Sequence, residues 1–149
     1  MSKRSKKPLA IIDLDVRDDL EKLRSAGQLL RQTWRRNAIY QFLNTVYAVH
    51  CSWRIQGKVR RRHSVLRRLT GEDAGKRHHL LRNLISAAIG SLEAKTASRW
   101  TRALEYAWSE DVMPSNLRDF FRSHGGVAGC ARAASRDIQK HIVNRNDWF

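Results

Sequence analysis

Apolar side chains recur at three- and four-residue intervals along most of this chain, and that period constrains the fold more than any other feature. The clearest run is Ile39, Phe42, Leu43, Val46, Val49 and Trp53, which would share one face of a helix. No segment shows a convincing run of the strict alternation that marks a half-buried strand. With 2 Pro and 8 Gly in 149 residues, the chain lacks the turns of an all-β protein and the bias of a low-complexity one. The expected fold class is all-α, a compact bundle of about seven or eight short helices.

At this length one helical domain is expected over residues 10–149, behind a basic tail at 1–9. The tail carries Lys3, Arg4, Lys6 and Lys7 and should be disordered in isolation. It would serve as a phosphate or minor-groove arm, a solubilising tail or, in a eukaryote, a nuclear-import signal. Asp13 or Asp15 is placed to cap a first helix, whose stripe would be Leu20, Leu23, Ala26, Leu30 and Trp34. Asn37 would cap a second helix and Gly57 end it. A third is expected over Lys58–Thr70, then a loop through Gly75. A fourth would bury Leu81, Leu84, Ile85, Ala88 and Leu92. A fifth, from about Lys95 to Ser109, would bury Ala97, Trp100, Leu104, Ala107 and Trp108. After Pro114, a cap at Ser115 or Asn116 would start a sixth with Leu117, Phe120 and Phe121 inside. Trp34, Trp53, Trp100 and Trp108 all fall on expected core stripes. Trp148 and Phe149 would dock on the core or meet another subunit, so a homodimer is compatible with the sequence.

Charge sets the partner class. Lys and Arg number 29 against 14 Asp and Glu, a net +15. Such a surplus repels itself and suits a polyanion, nucleic acid first and an anionic membrane surface second. Five acids cluster at Asp13, Asp15, Asp18, Asp19 and Glu21, and the next is Glu72. From Lys22 to Gly71, 50 residues hold 12 Lys or Arg and no carboxylate. The densest part contains Arg54, Lys58, Arg60, Arg61, Arg62, Arg67 and Arg68, and Lys76 and Arg77 follow it. On the expected third helix Arg60, Arg61, Arg67 and Arg68 share a face with Ser64, away from Val59, Val65, Leu66 and Leu69. Those four arginines should be exposed and contact phosphates, with duplex DNA favoured over RNA. The competing expectation is a solvated face neutralised by Asp or Glu from elsewhere in the fold.

The segment Leu117–Ala134 reads LRDFFRSHGGVAGCARAA. It suggests a helix, a turn at Gly125-Gly126-Val127, and a small-residue helix with Gly129, Cys130, Ala131, Ala133 and Ala134. This pattern resembles the helix-turn-helix of Fis and NtrC-type regulators, with Cys130-Ala131-Arg132 standing where that family has Ala-Ala-Arg. The resemblance implies a recognition helix from near Ser135, with Ile138 and Ile142 inward. Arg132, Arg136, Gln139, Lys140 and Asn144 would then contact DNA in a bacterial regulatory or accessory factor at the nucleoid. The family's Gly-Ile turn before the last helix has no counterpart between Ala134 and Ser135, so a plain helical hairpin is the alternative. A fainter similarity, around Lys95–Ala107 and Phe120–Arg132, is to uncharacterised proteins of bacterial mobile elements.

Chemistry is the minority expectation. His50-Cys51 and His78-His79 are adjacent pairs that diverge on a helix, and no Cys-x-x-Cys or His-x-x-x-His spacing occurs. No phosphate loop, dinucleotide fingerprint or nucleophile elbow is present. No catalytic residue, metal or cofactor is therefore assigned; a nuclease or toxin, including a metal-free ribonuclease, and a factor for an acidic protein partner remain as alternatives. Cys51 and Cys130 read as packed thiols of a reduced, cytoplasmic protein. No apolar run approaches the ~20 residues of a membrane span, and Leu9–Ile12 is too short for a signal-peptide core.

Overall fold

In a computed structural model the backbone is described for residues 2–71 and 79–146, and side chains for 11–71 and 79–136. The described residues are all-α, with no strand among them. Seven helices follow in order: α1 Ser2–Gln32, α2 Arg36–Gln56, α3 Val59–Thr70, α4 Leu80–Ile89, α5 Ala94–Ser109, α6 Leu117–Ser123 and α7 Gly126–Asn146, with a 3-10 turn at Pro114–Asn116 before α6. Where one domain was expected over 10–149, the contacts divide the chain into two compact units, Met1–Ser91 and Leu92–Phe149.

The first unit is built on α1, which packs against α2, α3 and α4. Its buried positions are Ile12, Val16, Leu20, Leu23, Gly27 and Leu30, steps of three and four that give one continuous stripe. Gly27, not the expected Ala26, lies on that stripe. A Cβ on Gly27 would overlap the carbonyl oxygen of Ala88 in α4, so glycine is what lets the two backbones approach. Arg31 donates from its guanidinium to the carbonyl of Ile89 at the same crossing. Trp34 falls in the break before α2 and is 54% exposed, because the helix ends before the periodicity reaches it. From α2, Phe42, Leu43, Val46, Tyr47, Val49 and Trp53 enter the core. Gly57 ends α2 at φ 83 and donates its N–H to the carbonyl of Trp53. Leu92, expected on the fourth stripe, lies beyond Gly90, which ends α4 at φ 74.

The acids read as helix caps do other work. The helix extends back through residues 2–8, the segment expected to be disordered in isolation, so Asp13 and Asp15 are interior to α1. Asp19 accepts a hydrogen bond of 2.8 Å from the indole Nε1 of Trp53, which satisfies the polar edge of a fully buried ring.

In the second unit α7 packs against α5 and α6. Trp100, Ala103, Leu104 and Ala107 of α5 are buried, as are Leu117, Phe121, Cys130, Ala131 and Ala134. Trp108 is 39% exposed, since it sits in the last turn of α5. A Cβ on Gly129 would overlap the carbonyl oxygen of His124, so this crossing also depends on a missing side chain. Phe120, half-buried, joins Tyr106 and His124 in a ring cluster with centroids 5.6, 5.8 and 4.2 Å apart. The break expected near Ser135 is absent, and α7 runs unbroken from Gly126 to Asn146. Between Gly129 and Asn146 there is neither Gly nor Pro, so nothing local stops the helix.

Candidate nucleic-acid interface

Helix α3 has two arginine populations. Arg62, Val65, Leu66 and Leu69 stand at i, i+3, i+4 and i+7, one stripe of a helix. Arg62, Val65 and Leu66 are buried and Leu69 is half-buried. Arg62 is 6% exposed. Its Nε donates to the carbonyl of Gly57 at 3.1 Å, and its guanidinium lies 3.6 Å from Asp15 of α1. This arginine ties the start of α3 to the loop and to α1, so it is withdrawn from the expected phosphate contacts. Its place on the apolar stripe carried the signal, masked by its charge.

The opposite side presents Arg60, Arg61, Ser64 and Arg68, all exposed. Arg67 is half-buried at the edge of the face. Arg68 bonds Asp13 at 3.0 Å, with 60% of its side-chain surface still exposed. The expectation of arginines without carboxylates is corrected here: α1 returns acids distant in sequence to α3. Of the two ion pairs among the described residues, one joins the buried Arg62 to the partly exposed Asp15 and one partly neutralises the outer face. Arg60 and Arg61 form no ion pair among the described residues.

Around this face, Lys58 is exposed and holds φ 58 at the start of α3. Arg54 is exposed in the last turn of α2, with its Nε 3.4 Å from Nε2 of His50. Arg17 and Arg24 of α1 line a groove of about 450 Å³ with Leu20, Glu21, Ser25, Gln28 and Leu69, so a carboxylate shares it with the two arginines. Both were missed in the sequence, because they lie 30 or more residues before the densest arginine run, beside the acids of α1. A groove of about 780 Å³ between α1 and α2 is lined by Asp18, Glu21 and Lys22 together with Leu29, Leu30 and Phe42. Two carboxylates against one lysine do not suit an anion.

Lys76 and Arg77 lie outside the described residues. In the second unit Arg132 and Arg136 are exposed on α7. Gln139, Lys140 and Asn144 lie on the same continuous helix, with their side chains outside the described set.

Among the described residues no three His, Cys, Asp or Glu gather into a group able to hold a metal ion, and no helix is long and apolar enough to cross a membrane. Both cysteines are buried. Burial pushes the Cys51 thiol up, partly offset by a hydrogen bond with Tyr47, and pushes Cys130 to about 11. Thiols held protonated in this way are poor nucleophiles. His63 pairs with Asn83 at 2.7 Å between α3 and α4. Comparisons with known protein families, curated proteins and solved structures find no match to this chain.

Proposed function

We propose that this chain binds nucleic acid by its phosphate backbone, duplex DNA ahead of structured RNA, through the outward face of α3. The carrying observation is that Arg60, Arg61 and Arg68 stand exposed on one side of α3, and that among the described residues Asp13 is the one carboxylate bonded to that face. Arg60 and Arg68 are separated by eight residues, about 12 Å along a helix axis. That span is comparable to the width of the B-form major groove, about 12 Å. Arginines at its two ends therefore suit phosphates on both groove edges. The deep, narrow major groove of A-form RNA offers a poorer match. Phosphate binding would relieve the repulsion among these cations and release counterions. Base contacts, in the regulatory or accessory role this reading carries, fall to α7 over residues 135–146.

The test is fluorescence anisotropy with a short duplex DNA, an RNA hairpin and a single strand over a salt series. Duplex DNA is expected to bind tightest, with log affinity falling linearly against log salt. Tighter binding to the hairpin would move the assignment to structured RNA. Absence of binding to all three at low salt would refute it.

A further inference from the structure

A second arginine cluster lies wholly within Leu92–Phe149 and owes nothing to α3. Arg99 and Arg102 are one turn apart on α5, so their side chains leave the same side of the helix. On α7, Ala128, Ala131, Arg132 and Ser135 recur at i, i+3, i+4 and i+7 and form one stripe. Packing of α5 on α7 brings the two sets together around a groove of about 310 Å³ lined by these six residues. All three arginines are exposed, and none forms an ion pair among the described residues. Among the described residues the lining contains no carboxylate. Alanines give the groove a low floor, and Ser135 Oγ lies on its wall, donating to the carbonyl of Ala131 at 3.2 Å.

We propose that the α5–α7 groove is a binding site for a phosphate group. Three arginines line one small concavity, and their like charges repel one another until an anion arrives. A carboxylate brings one charge and two oxygens. A terminal phosphate brings about −1.5 to −2 charge and three acceptor oxygens, enough to engage all three forks with planar, paired hydrogen bonds. The alanine floor leaves room for the group to descend between the helices. A backbone phosphate of a nucleic acid and a free or small-molecule phosphate share this chemistry, and the experiment separates them.

The full chain is titrated with inorganic phosphate against chloride at matched ionic strength while the arginine Nε–Hε signals are followed by NMR. The expected result is saturable shifts of Arg99, Arg102 and Arg132, with the Arg132 shift lost in R99Q/R102Q. In parallel, the salt dependence of duplex DNA binding is measured for the triple variant R99Q/R102Q/R132Q. Saturable shifts with a log–log slope flattened by up to roughly 2.7 units identify the source as backbone phosphate. Saturable shifts with an unchanged slope identify a free or small-molecule phosphate. Absence of saturable shifts in the wild-type chain overturns the site, whatever the DNA result. The wild-type titration needs no variant to fold and no DNA to bind, so this site and the α3 face fail separately.

Discussion

Within Met1–Ser91, 20 Lys and Arg meet 7 Asp and Glu; within Leu92–Phe149, 9 meet 7. The first unit thus holds nearly all of the charge surplus, yet it also makes both ion pairs seen among the described residues. Five of its seven acids lie on α1, where Asp15 and Asp19 serve the buried Arg62 and Trp53. Carboxylates used inward do little to lower the field outside, so the outer face of α3 stays cationic. The second unit has almost balanced charge, and its arginines become a cluster only because α5 and α7 pack side by side. A basic surface in the first unit is a property of sequence composition; in the second it is a property of tertiary packing.

The largest expected effects attack the close crossings that both units share. Gly27→Ala and Gly129→Ala each place a methyl group against a backbone carbonyl that cannot swing away. Each should cost about 1–3 kcal/mol or more. In urea melts followed by circular dichroism, each substitution should lower the transition of its own unit and leave the other unchanged. A single transition shifted equally by both would break the division into two units.

Next comes the contrast within α3. Arg62→Ala leaves Asp15 and the Gly57 carbonyl without their partner and should cost about 1–3 kcal/mol. Arg61→Ala, on the exposed side, should stay within about 0.5 kcal/mol. Equal melting temperatures for the two variants would contradict the inward role of Arg62.

A smaller effect should appear at alkaline pH in the second unit. Burial holds the Cys130 thiol protonated up to about 11, whereas an unfolded thiol loses its proton near the ordinary value of about 8.5. Between those values the unfolded chain has released a proton that the folded chain keeps, so stability falls as pH rises. The contribution is fully present below about 8.5. The stability difference between wild type and Cys130→Ala should therefore shrink as pH rises toward 11. A difference independent of pH would show that this thiol does not titrate late.

Much of the helix plan was legible in the chain. Phe42, Leu43, Val46, Val49 and Trp53 share a face because three- and four-residue spacing has one geometric solution, and Gly57 stops the helix where its positive φ is needed. The misses have physical causes. Gly27 looks like a helix weakener until α4 lies across it. Arg62 looks like a surface charge until its position on the stripe outweighs its polarity. Asp13 and Asp15 suit a helix start, but α1 begins before them and α3 brings them partners more than 45 residues distant in sequence. Trp34 follows the period of α1 past the point where that helix ends. The start of a separate helix near Ser135 was implied by resemblance to a family, while the local residues, free of Gly and Pro, favour the continuous α7. Arg60, Arg61 and Arg68 were visible as a face, whereas the Arg99, Arg102 and Arg132 groove exists only once two helices have packed.

The outward face of α3 is tested most directly by the salt dependence of duplex DNA affinity for R60Q/R61Q. The charge-matched control is Lys95→Gln with Arg122→Gln, two exposed positions of the second unit. If Arg60 and Arg61 each neutralise one phosphate, the log–log slope should flatten by about 1.8 units in R60Q/R61Q and stay unchanged in the control. Equal slopes in the wild type, R60Q/R61Q and the control would contradict phosphate binding by this face.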